Sequence, residues 1–305
     1  MDKEAGLSRL SENLYLLPGS PNTVIAVDEI ANRAVIVDPG IGEDRAEAIM
    51  LSVSKLGFSE AAIILTHAHT DHLAAAVGLV QKGWGPLYAP RLCITLVEDT
   101  VARRALVFGG LVSKSLASLP MQRLRVDYYF VDGNPLPGGF KAISLPGHSP
   151  GHSGLLSSED GVAIVGDAVL GEKVLEKYGI PFGIDLRVML DTIESRLREL
   201  VEEGYRLVLG HGPIVEGRRA QALLEANAKA IKRAREVLLE LLRRKPVTVE
   251  KASLILTKEL SSAELTPRQI LLNKTAVQSI LAWLEEDGLV EPVVGDEGVI
   301  WRARV

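Results

Sequence analysis

Thr66-His67-Ala68-His69-Thr70-Asp71-His72 follows directly on Ala61-Ala62-Ile63-Ile64-Leu65, a short apolar run with the character of a buried strand. Helical spacing begins at His72 and continues to Lys82, so the histidine-rich string occupies a strand-to-helix turn. Turns of this kind, at the C-terminal ends of strands, are where open α/β sheets place their sites. Extended residues two apart project to the same side, which aims His67 and His69 at one point. Asp71 and His72 come after the chain has turned and can face a second point close by. A lone His-x-His before Thr70 or Asp71 would be explained by polar surface and a helix cap. The full string is better explained by a loop that feeds two metal positions.

The other histidines extend this pattern. All six in the chain fall in three short segments: the opening string, Gly147-His148-Ser149-Pro150-Gly151-His152, and Gly210-His211. His148 follows a strand-like run, Lys141 to Leu145, and His211 follows another, Arg206 to Leu209. Asp167 comes after Val162 to Val165 through Gly166. Taken alone it is an ordinary turn aspartate, but its hard oxygens also suit a carboxylate that bridges two cations. A single cysteine, Cys93, excludes an internal disulfide and a thiolate cluster, so any metal would be held by nitrogen and oxygen.

The rest of the chain supplies a scaffold for these strand ends. Leu14 to Leu17, Thr23 to Val27 and Ala34 to Val37 read as adjacent antiparallel strands, the last ending in Asp38-Pro39-Gly40. A helix is predicted over Glu43 to Leu56, with Ala46, Ile49, Met50 and Val53 on one face. Arg91 to about Leu119 forms an apolar helical stretch broken at Gly109-Gly110 and is expected to pack over the sheet. A second strand series takes in Tyr128 to Val131, Lys141 to Leu145, Leu155 to Ser157 and Val162 to Val165, followed by an amphipathic helix from Met189 to Glu202. Two strand-rich halves with interspersed helices predict an α/β (α+β) four-layer sandwich, sheets inside and helices outside. A long helix from about Gly217 ends at Pro246, and the residues from 247 to 305 read as helix, helix and a hairpin through Gly295-Asp296-Glu297-Gly298, a small winged-helix-like module. The expected division is a catalytic domain over 1–242 and this module over 243–305.

With 305 residues, 47% of them hydrophobic, the chain can bury a full core and a second small domain. The net charge of −5 gives no sign of nucleic-acid binding through an overall field. Met1-Asp2-Lys3-Glu4 carries acid where a signal peptide carries base, and no apolar run approaches the roughly 18 residues of a membrane span. The expectation is a cytoplasmic protein with no membrane partner. Sparse Asn, Gln, Cys and Met are compatible with a thermophilic source.

Thr-His-Ala-His-Thr-Asp-His at 66–72, Pro-Gly-His-Ser-Pro-Gly-His at 146–152, Gly-Asp at 166–167 and Gly-His-Gly at 210–212, in this order, resemble the metallo-β-lactamase superfamily over roughly residues 10 to 240. The resemblance implies an αββα sandwich in which His67, His69 and His148 hold one metal, Asp71, His72 and His211 hold a second, and Asp167 bridges them. Asp38, in Val-Asp-Pro-Gly, matches the superfamily's first aspartate and would support the metal loop from behind the ligands. His152 matches no ligand position and is expected to support a ligand or a turn.

The intact ligand set resembles the binuclear hydrolase branches, which include glyoxalase II-like thioesterases. It implies two divalent ions, zinc by default with iron or manganese acceptable, and a metal-bridging hydroxide that attacks small ester, thioester or lactone substrates. Asp71 would orient the nucleophile or receive a proton. The commonest β-lactamases replace part of this set with cysteine, so antibiotic hydrolysis is not the expected task.

The alternative is a phosphodiesterase or endoribonuclease, because a metallo-β-lactamase domain followed by a winged helix resembles β-lactamase-like endoribonucleases. Charge speaks against nucleic acid: Arg268 and Lys274 are the only bases between Thr266 and Gly288, and the hairpin tip holds Asp296 and Glu297. The module is expected instead to cover the main domain or to mediate a homodimer. A noncatalytic scaffold is disfavoured by the complete ligand set. Lys229, Lys232, Arg233 and Arg235 are the best candidates to meet an anionic partner, but a solvated helix face explains them better. Tyr178, Phe182 and Arg187 follow Asp167 without an assigned role.

Overall fold

The computed structural model describes residues 6–108 and 123–304. The first half builds a seven-stranded sheet in sequence order from β1 (Ser8–Arg9), β2 (Leu14–Leu17), β3 (Thr23–Asp28), β4 (Arg33–Val37), β5 (Ala61–Ile64), β6 (Leu87–Pro90) and β7 (Tyr128–Phe130). Pairing is antiparallel as far as β4 and parallel from there on, because α1 (Glu43–Lys55) carries the chain back across the sheet between β4 and β5.

The second sheet has six strands: β8 (Pro135–Leu136), β9 (Phe140–Ser144), β10 (Ser153–Ser157), β11 (Val162–Gly166), β12 (Arg206–Leu209) and β13 (Ile214–Val215). They neighbour one another in sequence order, and β11 and β12 pair in parallel.

The two-residue side-chain period of a strand sorts the core into layers. Val35, Val37, Ala62 and Ile64 face the other sheet and pack with Phe140, Ala142, Leu155 and Ile164. Their alternates Ala34, Ile36, Ala61 and Ile63 face outward onto Ala46, Ile49 and Val53 of α1. In β11, Ala163 and Val165 likewise face a helical layer on the far side. Strands covered on both faces read as unbroken apolar runs, as in Ala61 to Ile64. The order helix, sheet, sheet, helix is the predicted four-layer sandwich.

Several elements differ from the sequence reading. The helix expected from His72 to Lys82 forms two short pieces, α2 (Thr70–Leu73) and α3 (Ala76–Gln81). Gly40 enters the gap: its N–H donates to His72 O at 3.0 Å and its carbonyl accepts from Ala75 N at 2.8 Å. A backbone that inserts into the helical ladder breaks the helix. Tyr128–Phe130 joins the edge of the first sheet rather than opening the second, pairing in parallel with β6.

In the stretch after Arg91, α4 (Ile94–Glu98) and α5 (Thr100–Phe108) are helical, and Cys93 and Val97 are buried with the first sheet's outer face. The break at Gly109-Gly110 and the residues up to 122 lie outside the described residues. After α6 (Glu172–Tyr178), the helix expected from Met189 starts earlier, as α7 (Leu186–Thr192), because Asp185 caps it through Val188 N at 3.0 Å. It continues through a π-helical turn over Ile193–Leu197 into α8 (Arg198–Glu202). The helix α9 (Gly217–Arg244) stops where Lys245, held extended before Pro246, can no longer be helical.

The C-terminal residues form β14 (Val247–Thr248), α10 (Val249–Leu260), α11 (Pro267–Glu286) and a hairpin of β15 (Val290–Gly295) and β16 (Gly298–Ala303), with β14 added on the β16 side. Leu256, Val277, Ile280 and Leu284 belong to one apolar core with Leu238 and Leu242 of α9 and Met189 of α7. Among the described residues, no helix is long and apolar enough to cross a membrane.

Candidate metal centre

The strand ends of the two sheets bring five histidines and two aspartates together. The Oδ2 of Asp167, just beyond β11, lies 3.3 Å from His72 Nε2, 3.6 Å from His148 Nε2, 3.6 Å from His211 Nε2 and 4.0 Å from His67 Nε2. His69 joins through Nδ1, 2.9 Å from His148 Nε2, and Asp71 through Oδ2, 3.2 Å from His211 Nε2. Two separate groups of converging donor atoms result, His67, His69, His148 and Asp167 in one and Asp71, His72 and His211 in the other, and a third, Asp38 with His67 and His72, overlaps both.

Rings are aimed by what holds their second nitrogen. His72 Nδ1 donates to Asp38 Oδ2 at 2.8 Å, and His148 Nδ1 donates to the Phe182 carbonyl at 3.0 Å. His211 Nδ1 pairs with the Ser20 hydroxyl at 2.9 Å. The Thr66 hydroxyl donates to Asp38 Oδ2 at 2.6 Å and is left to accept from His67 Nδ1 at 3.0 Å. These contacts turn Nε2 of all four rings toward Asp167 Oδ2. Asp38 also accepts from Thr66 N at 2.8 Å, so both of its oxygens are engaged by hydrogen bonds, and it lies close to His67 and His72.

His152 stands behind the cluster. Its Nδ1 donates to Leu145 O at 3.0 Å and its Nε2 accepts from Asp167 N at 3.0 Å, which fixes the neutral tautomer and holds the backbone of Asp167.

The electrostatics suit a cation. Burial, reinforced by neighbouring histidines, keeps His67 and His152 well below the usual imidazole range, and burial brings His69 down to about 3. Burial also opposes a charge on His72, but the carboxylates of Asp167 and Asp38 outweigh it and raise that pKa well above its ordinary value. Burial would push Asp167 up, yet His72 and His211 hold it well below the usual carboxylate range. The Nε2 atoms of His67, His69 and His72 and Oδ1 of Asp167 are buried without a hydrogen-bond partner. Each such orphan costs about 1–3 kcal/mol, and nitrogen and carboxylate donors grouped this closely fit divalent metal.

Other residues of the site have roles that the sequence motifs do not explain. Gly210 is required because a Cβ there would collide with Asp167 Oδ1 and come within 2.7 Å of His72 Cε1. Gly166, at φ 51°, passes so close to Thr66 and His152 that a Cβ would lie 2.8 Å from each. Ser20 sits in the turn between β2 and β3, a long way in sequence from the ring it holds. The glycines beside Asp167 and His211 are visible as residues, but only the fold shows what they avoid.

The cluster opens into a cavity of about 540 Å³ lined by His69, Asp71, His148, Asp167 and His211. Tyr178 and Phe182 line it, and the Phe182 ring packs edge-on against His69 and His148 with centroids 5.4 and 5.6 Å apart. Arg187 does not take part. It lies between Glu286 and Asp287 at 3.2 and 3.7 Å, tying α7 to the end of α11. Lys232 pairs with Glu194, and Arg235 pairs with Asp287 at 2.6 Å while stacking over Trp283, so part of the α9 basic face serves internal contacts.

The comparisons with known proteins agree with this geometry. The family model described as the metallo-beta-lactamase superfamily matches residues 17–211. A hydroxyacylglutathione hydrolase of Haemophilus influenzae is 29% identical over 180 residues, which are 59% of this chain and 80% of that protein. A beta-lactamase domain protein from Burkholderia ambifaria superposes with a TM-score of 0.72 at 21% identity, covering 100% of this chain and 95% of that one. A metallo-beta-lactamase family protein from Thermus thermophilus gives 0.70 at 23% identity, covering 97% and 100%. Both structural matches extend through the C-terminal module, so the shared fold includes it. With the αββα layers, the histidine string at a strand end and the family match in register, the chain belongs to the metallo-beta-lactamase superfamily.

Proposed function

We propose that this protein is a binuclear metal-dependent hydrolase of small ester, thioester or lactone substrates. The observation that carries the reading is the position of Asp167 Oδ2, within 4.0 Å of four Nε2 atoms drawn two from each donor group. His67, His69 and His148 would hold one ion and Asp71, His72 and His211 the other, with Asp167 shared between them. Two such ions supply a water ionised near neutral pH and a Lewis acid for the substrate oxygen. Zinc is the preferred metal for this donor set, and iron and manganese are also suited to it.

The side chains of the chain do the rest. Asp38, Thr66, Phe182 and Ser20 fix ring orientation in advance, so no reorganisation is needed at the moment of reaction. Asp71, with its side chain 36% exposed and facing the cavity, is placed to orient the attacking water or receive its proton. The cavity suits a small organic molecule, and the relative named hydroxyacylglutathione hydrolase supports an acyl substrate.

In this reading, residues 1–242 form the catalytic unit and 243–305 a winged-helix-like cover. The endoribonuclease alternative gains little from that cover. Helix α11 is packed on its buried face against the catalytic unit, and one of its two bases, Lys274, is paired with Glu250 at 2.5 Å.

Elemental analysis coupled to a substrate panel tests the proposal. Two metals per chain are expected, with thioester, ester or lactone turnover exceeding that of a phosphodiester and of single-stranded RNA. RNA cleavage well above the small esters would overturn it.

A further inference from the structure

We infer that the substrate carries, apart from the reacting bond, an anionic group, a carboxylate or phosphate monoester, and that Arg103 anchors it in the cavity beside the metal cluster. For the identity of the reacting bond this rests on the proposed hydrolase function; the anion site itself stands on separate observations.

The first is Arg103. It lies in α5, is only 2% exposed, and lines the cavity. Nε donates to Leu96 O at 2.6 Å and Nη2 to Val97 O at 2.8 Å, which fixes the guanidinium. Nη1 is buried with no partner; the carboxylate of Asp99 offsets part of the charge from a distance, but no carboxylate reaches Arg103 as an ion pair among the described residues. Burial lowers its pKa to about 10, which leaves it charged at neutral pH. A buried, unpaired charge is strongly unfavourable unless something completes it. A pinned guanidinium with donors to spare is also pre-organised for a planar or tetrahedral oxyanion.

The second is the sign of the surrounding wall. Lys173 and Lys177 of α6 and Arg268 of α11 line the same cavity, and none of them makes an ion pair among the described residues. Among the described residues, the carboxylates in the lining are Asp71 and Asp167, both within the metal cluster. The chain as a whole carries −5, so this positive wall is local and not a reflection of overall charge. A concave surface lined by one sign focuses the field and draws in a ligand of the opposite sign.

The third is the origin of the wall. Arg103 comes from α5 and Arg268 from the C-terminal module, and the Thr275 hydroxyl donates to Val107 O at 3.2 Å across that junction. Val107 and Leu272 line the cavity from the same two helices. Docking of the module therefore completes a pocket that is part apolar and part cationic, which assigns it a role in substrate selection.

Zinc-loaded wild type, Arg103→Met, Arg103→Lys and Arg268→Gln, each with its metal content measured, are titrated calorimetrically with glutarate and with glycerol 1-phosphate. One of the two anions is expected to bind the wild type and so to identify the anion. Its affinity should fall about tenfold in Arg103→Met and several-fold in Arg268→Gln, with partial recovery in Arg103→Lys. Arg268 is exposed, so Arg268→Gln decides the matter if the Arg103 variants do not fold. In parallel, the ratio of kcat/KM for mono-4-nitrophenyl glutarate over 4-nitrophenyl butyrate should fall in the variants, chiefly through KM.

The inference is overturned if neither anion binds, or if fully metallated Arg103→Met and Arg268→Gln bind as the wild type does. Arg103-dependent binding without hydrolysis of either ester supports the anion site and overturns the hydrolase reading. A single-stranded oligoribonucleotide cleaved faster than either ester overturns both.

Discussion

A histidine offers two nitrogens, and coordination through one is well directed only when the other is committed. Asp38 does this for His72 directly and for His67 through the Thr66 hydroxyl. Asp38→Ala should therefore weaken metal binding about 10–100-fold with every ligand still present. Competition with a chromophoric chelator measures this, and an unchanged affinity would mean that the ring orientations are set elsewhere. Asp167→Ala should lose metal and hydrolysis together, whereas full activity with both metals retained would remove its bridging role. Gly210→Ala leaves every ligand in the sequence untouched yet drives a methyl group into Asp167 and His72. The expected result is a folded protein with reduced metal content, read by elemental analysis after dialysis.

At the scale of elements, the centre depends on interruptions in regular structure. Gly40 splits the helix that follows the histidine string, and in doing so its N–H holds the carbonyl of His72. Cys93 lies beneath the His148 turn, its thiol donating to Pro150 O at 3.0 Å. Burial pushes that thiol up to about 12. Since the folded value is raised, the native state keeps its proton while the unfolded chain ionises above about 8.5. The stabilisation is complete below that pH and is lost as pH rises toward 12. Native protein should accordingly resist a thiol reagent at about pH 8, near the ordinary thiol value, and Cys93 should react only as the chain unfolds in denaturant; prompt labelling of the folded protein would contradict its burial. At the start of α11 the Thr266 hydroxyl accepts from Gln269 N at 3.2 Å. Thr266→Ala should cost about 1 kcal/mol, measurable by denaturant titration.

For the whole molecule, the consequence of the continuous core is that the C-terminal module is not an independent appendage. Deleting residues from 246 onward would expose Leu238, Leu242 and Met189, which pack in one cluster with Val277, Ile280 and Leu284. The truncated chain should aggregate or melt at markedly lower temperature by calorimetry. A truncated chain as stable as the full chain would show that this packing contributes little. Chelation should lower the melting temperature of the full chain, and added metal should restore it in a concentration-dependent manner, because a ligand that binds only the folded state stabilises it by mass action.

The layers and the donor atoms are legible along the chain. Val35, Ile36, Ile63 and Ile64 alternate or run together as buried strands must, and the histidines follow strands because strand ends are where a sheet exposes side chains. Local period and local chemistry suffice for both. Other features depend on residues remote in sequence meeting, and no local pattern records them: Ser20 at His211, Gly40 inside the helix after His72, Gly210 against Asp167, and Arg103 and Arg268 in one cavity. Nothing in the neighbourhood of Arg103 along the chain marks it as different from Arg104. Its distinctness comes from burial and from an N–H left without a partner, and both exist only once the chain has folded.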